Sequence, residues 1–241
     1  DPLSCGLLIS RSLNRRRAIA VLHPLMSIPA ALLATSASAD VLWDQIGSST
    51  GENLTGDIYG SMHFLPEIPL TSDLAAVDAF TLEQHSTVDA VEFVLDGWSA
   101  FDGPADVTNW QVNIYSDLEA AASNLTGNIL SQESMPIFVD EWSGDGWLIR
   151  LPISLAIDPG TYLVSVLMSN PYPDNGWVGV ATSSIGDDQA WQVSPGGNYV
   201  FSPFIEAPDN LAYRLTGTSV PSPASIVVMS IASLFVRTRR R

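Results

Sequence analysis

The chain has 241 residues, 46% of them hydrophobic, and 26 acidic against 10 basic side chains give a formal net charge of −16. That much apolar material can bury a core, which excludes a wholly disordered chain. Every basic residue is an arginine and eight lie at the two ends, so Asp40 to Thr218 sets 25 carboxylates against Arg150 and Arg214 alone; a formal −23 repels phosphate backbones and excludes a nucleic-acid partner.

At the start, Arg15, Arg16 and Arg17 precede an apolar run from Ala18 to Leu33, and small residues follow to Ala37-Ser38-Ala39. A basic region, an apolar stretch and an Ala-x-Ala site predict a signal peptide over residues 1–39, cut between Ala39 and Asp40. Pro24 and Pro29 interrupt the run and argue against a membrane-spanning anchor. Cys5 is the only cysteine, so from Asp40 onward there is neither disulfide nor thiolate, and stability must come from core packing.

Beyond Asp40 the apolar pattern has period 2, the signature of half-buried strands. Ile58 to Phe64, Ala76 to Leu82 and Val88 to Leu95 come first, then Trp110, Val112 and Ile114 alternating with polar neighbours. After a brief helical hint at Asp117 to Ala122 come Asn128 to Glu133, a stripe of Trp147, Ile149, Leu151 and Ile153, and another of Tyr162, Val164, Val166 and Met168. Trp177 to Ala181 and Ala212 to Thr216 complete the set. Turn clusters such as Asp96-Gly97, Ser143-Gly144-Asp145-Gly146 and Asn175-Gly176 separate these strands. The pattern predicts one all-β domain over residues 40–218, an antiparallel, jelly-roll-like β-sandwich with Trp110 and Trp147 in its core.

Chemistry-bearing motifs are sparse. His63 and His85 lie on different predicted strands and read as surface histidines, not as a zinc pair. With no strand-to-helix elbow framework around any serine and no Gly-rich phosphate loop, no catalytic residue stands out and a non-enzymatic domain is expected. Calcium is the one cofactor the composition suits, and Asp140, Asp145, Asp187 and Asp188 on acidic loops are its first candidates; solvated loops are the alternative. Trp98, Trp142, Trp177 and Trp191 sit beside turn residues, where exposed ring faces would stack on sugars. Glycoside hydrolysis needs a spaced carboxylate pair, which a chain this acidic does not single out.

The end of the chain is tripartite: Val220-Pro221-Ser222-Pro223, an apolar run from Ala224 to Val236, and Arg237, Arg239, Arg240 and Arg241. The prolines stiffen a hinge, the run predicts a transmembrane helix at 224–236, and the arginines hold the terminus on the cytoplasmic side. This tail resembles the PEP-CTERM sorting signal of exported bacterial proteins, with Ser222 where that family usually has Glu. The resemblance implies passage through the secretion machinery, transient residence in the inner membrane, and cutting near the motif by an exosortase. The destination it implies is the cell surface or extracellular matrix of a Gram-negative-type bacterium.

Asp78-Ala79-Phe80, Ile114-Tyr115-Ser116-Asp117, Gly160-Thr161-Tyr162 and the closing Leu211 to Gly217 are similar to the exported domains that precede such tails. That likeness implies a sandwich and carries over no catalytic residue. The expected function is a structural or adhesive surface protein; the alternative is a lectin-like module that holds extracellular polysaccharide.

Overall fold

A computed structural model describes residues 39–65, 73–195 and 203–220. Ala37, the motif residues Pro221, Ser222 and Pro223, the apolar run 224–236 and the terminal arginines lie outside the described residues.

The strands in chain order are β1 (Asp40–Asp44), β2 (Leu54–Gly60), β3 (Met62–Leu65), β4 (Ala75–Leu82), β5 (Ser86–Trp98) and β6 (Asn109–Tyr115). A short helix, α1 (Leu118–Ser123), then precedes β7 (Leu130–Glu133), β8 (Ile137–Phe138), β9 (Trp147–Ile157), β10 (Gly160–Pro171) and β11 (Trp177–Ser183). The described chain closes with β12 (Ala190–Val193), β13 (Phe204–Glu206), β14 (Asn210–Leu211) and β15 (Tyr213–Ser219).

They form two sheets, almost wholly antiparallel. In the first, β5 carries β9 on one side, and on the other β15 and β11 pair successive lengths of it; β1 flanks β15, β2 and β14 pair β11, and β8 caps β9. In the second, β10 runs between β6 and the pair β4 and β3, with β7 beyond β6 and β12 and β13 beyond β4. The parallel exception is β3 against β10.

Period-2 alternation places one face of each sheet in a shared core, where Phe80, Val112, Val164 and Val166 meet Val91, Phe93, Ile149 and Tyr213. The outer faces are not bare. Helix α1 and the loop after it cover Val77, Ala79, Tyr115 and Leu163, while loops cover Ile46, Val94, Leu148 and Ala181 on the other sheet. The helix starts at Asp117, whose carboxylate accepts the Ala120 N–H at 2.8 Å; that bond first, and the Ser116 hydroxyl second, lower the Asp117 pKa.

Two expectations need correction, and some strands were not foreseen. Ile58 to Phe64 is not one strand: the chain passes from the first sheet to the second at Gly60-Ser61, where a Cβ on Gly60 would stand 2.6 Å from Leu74 Cδ1. Trp147 is not core but 37% exposed, because it opens β9 beyond the shared interior and packs edge-on against Phe101 instead. Strands β1 and β12 give weak periodic signals because they are short and only partly buried.

The segment Leu211 to Gly217 carries much of the architecture. Between β3 and β4 the ladder along β10 is interrupted at Val166, and side chains fill the gap: the Val166 N–H donates to the Tyr213 hydroxyl at 3.1 Å, and Ser61 Oγ donates to the Val166 carbonyl at 2.5 Å. Two residues before Ser219, a Cβ on Gly217 would meet the Thr87 carbonyl at 1.9 Å, so the bulge between β15 and β5 admits only glycine.

Candidate functional site

Arg150 and Arg214, the only arginines among the described residues, are consumed in one ladder. Asp44, Arg214, Glu92 and Arg150 lie opposite one another on β1, β15, β5 and β9. Arg214 grips Asp44 through Nε at 3.0 Å and Nη2 at 3.2 Å and reaches Glu92 through Nη1 at 3.2 Å, while Arg150 donates to the other Glu92 oxygen at 2.8 Å. Burial pulls the Arg214 pKa down, but the hydrogen bond and charge of Asp44, with Glu92 behind them, raise it overall. Both arginines of the domain thus sit on carboxylates of its own sheet.

Asp78 points into the core from β4 without a cation beside it. It accepts the Leu211 N–H at 2.5 Å and Gln45 Nε2 at 3.2 Å, which ties the second sheet to the first. Burial pushes its carboxyl up to about 7; the Leu211 and Gln45 hydrogen bonds oppose that shift and the Asp187 charge adds to it.

Of the four tryptophans expected to stack on sugars, two come together. Trp98 and Trp177 face each other across β5 and β11 and stack at 5.5 Å with 9° between ring planes; Trp98 is 38% exposed, while Trp177 leans edge-on against Phe64 and Tyr172. Trp142 instead packs loop against loop. Its ring lies 3.2 Å from where a Cβ on Gly51 would be and 2.5 Å from one on Gly144, and its Nε1 donates to the Asp145 carbonyl. Trp191 stands on β12 against the outer apolar cluster of the second sheet.

The calcium candidates are also separated. Asp140 and Asp145 lie in the loop between β8 and β9, and Asp187 and Asp188 in the loop between β11 and β12. In the second loop, Asn210 Oδ1 accepts both the Asp187 and Asp188 N–H groups, and Asp187 accepts the Gln189 backbone, so these carboxylates shape a turn. Among the described residues no three His, Cys, Asp or Glu side chains gather as a metal site.

His85 is the surface histidine expected of it, 2.9 Å from exposed Asp158. His63 is not: its Nδ1 is hydrogen-bonded to Asp73, whose side chain is only 8% exposed and whose other oxygen accepts the Phe64 N–H at 3.0 Å. His63 lies in the floor of a groove made of two adjoining depressions of about 340 and 360 Å3, which share His63, Gln111 and Leu167. Asn124, Leu125 and Thr126 wall one end; Leu65, Asn109 and Ser169 line the other. Sequence reading missed this groove because β3, β6 and β10 bring its floor together from three distant stretches of chain.

Compared with known proteins, the chain matches no family model, and no curated protein is significantly similar to it. Among the described residues no helix is long and apolar enough to cross a membrane.

Proposed function

We propose that this chain is an exported, non-enzymatic protein of the bacterial cell surface or extracellular matrix, with a structural or adhesive role, sorted through its PEP-CTERM-like tail. The observation that carries the reading is where the described sheet pairing begins and ends. Asp40, the residue after the predicted signal cut, opens β1 directly opposite Gly217, and Val220, the first motif residue, is held by its N–H on the His85 carbonyl at 2.8 Å. Removal of residues 1–39 and of the tail after Val220 would therefore leave every described strand in place. Repeated crossing of consecutive strands between the two sheets favours the jelly-roll-like description of the sandwich.

A second reading, a lectin-like carbohydrate-binding role, draws on the stacked, half-exposed Trp98 and Trp177 pair.

Intact-mass spectrometry of the protein from the host's surface fraction tests the first reading. The expected mass is that of a chain starting at Asp40 and ending near Pro221 to Pro223. A surface protein that retains the Ala224 to Arg241 segment overturns exosortase processing.

A further inference from the structure

We propose that the groove around His63 binds a neutral, hydroxyl-rich chain, a segment of uncharged polysaccharide; this inference rests on the adhesive and sugar-holding role above and moves the sugar site away from the tryptophans. Cross-strand rows on the outer face of the second sheet change character along its length. Tyr115 and Leu163 pair under α1, Asn113 and Ser165 come next, then Gln111 with Leu167, and last Asn109 with Ser169 and His63. The helix covers the apolar end. The end that no described element covers holds amides, hydroxyls, an imidazole and a leucine.

Charge is the second argument. In a domain of formal charge −23, the only carboxylate that the described residues contribute to the groove lining is Asp73, which is buried and engaged by both His63 and the Phe64 N–H. Among the described residues the groove also holds no arginine, so its described lining offers neither a cation nor an anionic polymer a free opposite charge, and the acidic surroundings repel the anion.

Hydrogen-bond capacity then selects the ligand. Gln111 spends its amide N–H groups on Asn113 at 2.9 Å and Ser131 at 2.6 Å, and Asn109 spends one of its two on Glu133 at 3.2 Å. Their amide oxygens have no partner among the described residues. His63 meets Asp73 through Nδ1, which leaves Nε2 as the ring nitrogen not spent on Asp73. Two amide oxygens and an imidazole nitrogen in one groove suit a ligand whose O–H groups both donate and accept, and Leu65, Leu125 and Leu167 offer apolar contact for the C–H faces of sugar rings. Two depressions sharing one floor suit a chain of sugars more than a single small molecule.

The test is affinity electrophoresis of the exported protein through gels containing dextran, hydroxyethylcellulose or galactomannan, with alginate as the anionic control. At least one neutral polymer should retard the protein and alginate should not. Gln111→Leu, which removes an acceptor at similar volume, and Thr126→Trp, which fills the groove from its wall, should each weaken retardation at least about tenfold without lowering Tm. Trp98→Ala should leave it unchanged. His63→Phe is a poorer probe because it strands buried Asp73. No retardation by any neutral polymer, or retardation that survives both groove variants, overturns the proposal. Retardation lost in Trp98→Ala alone overturns the groove but keeps the lectin-like reading. Absence of binding in a protein correctly processed at both ends overturns the groove and leaves the export reading standing.

Discussion

The Tyr213 hydroxyl accepts the Val166 N–H at 3.1 Å and donates to the Ala76 carbonyl at 3.2 Å, so one phenol from the first sheet completes the interrupted backbone ladder of the second. Burial raises its pKa far above the ordinary tyrosine value, with the Val166 hydrogen bond opposing. Tyr213→Phe keeps the ring in the core but strands a buried donor and a buried acceptor. Urea denaturation should show a loss of about 2–3 kcal/mol. A loss below about 0.5 kcal/mol would mean that the backbone closes the gap unaided.

The ladder through Arg214 should dominate the polar contribution of the first sheet. Arg214→Met leaves Asp44 and Glu92 facing each other without their shared guanidinium, at a cost of about 2–3 kcal/mol, less than for a fully buried pair because Asp44 is partly exposed. Arg214→Lys should recover under half, since an ammonium cannot hold both Asp44 oxygens and Glu92 together. Arg150, with more solvent around it, should cost about 1 kcal/mol when replaced by Met. Equal effects at the two arginines would contradict this ordering.

Asp78 gives a pH dependence of definite sign. Its folded pKa of about 7 stands above the ordinary 3.8, so the folded state holds an extra proton between those values. The stability this proton confers is fully present below pH 3.8 and is lost as pH rises through about 7, at up to about 1.4 kcal/mol per pH unit. Chemical denaturation at pH 5 and pH 8 should therefore show a smaller fall for Asp78→Asn than for the native chain. Parallel falls would remove Asp78 as the source.

Tryptophan exposure separates the packed rings from the free ones. Acrylamide, being uncharged, is not repelled by the acidic surface as iodide would be. Quenching should fall most in Trp98→Phe and Trp147→Phe, the exposed rings, and barely change in Trp110→Phe, whose ring is core. Gly144→Ala, which would place a Cβ 2.5 Å from Trp142 Cζ2, should destabilise the loop and make Trp142 newly quenchable.

Local pattern settled what depends on a residue's near neighbours. Alternation placed Val88 to Leu95, Trp110 to Tyr115 and Tyr162 to Met168 on strands with a buried face, because a strand's side chains face opposite sides whatever the partner. The helical hint at Asp117 to Ala122 matches α1, whose cap at Asp117 involves only the residues just after it. The surplus of carboxylates was likewise legible without coordinates. What the tertiary structure alone decided is everything set by partners distant in the chain. Trp147 lost its place in the core because the sandwich-like interior ends before β9 begins, a boundary that periodicity does not carry. Asp44, Glu92, Arg150 and Arg214 became one ladder only through the register of four strands. Likewise Asp78, which has no role in the sequence reading beyond its place in a family likeness, became a buried clasp because Gln45 and Leu211 reach it across the sheets. The His63 groove has the same origin: antiparallel and parallel pairing on β10 set Gln111, Leu167, Ser169 and His63 on one face, and strand pairing is a property of the assembled sheet.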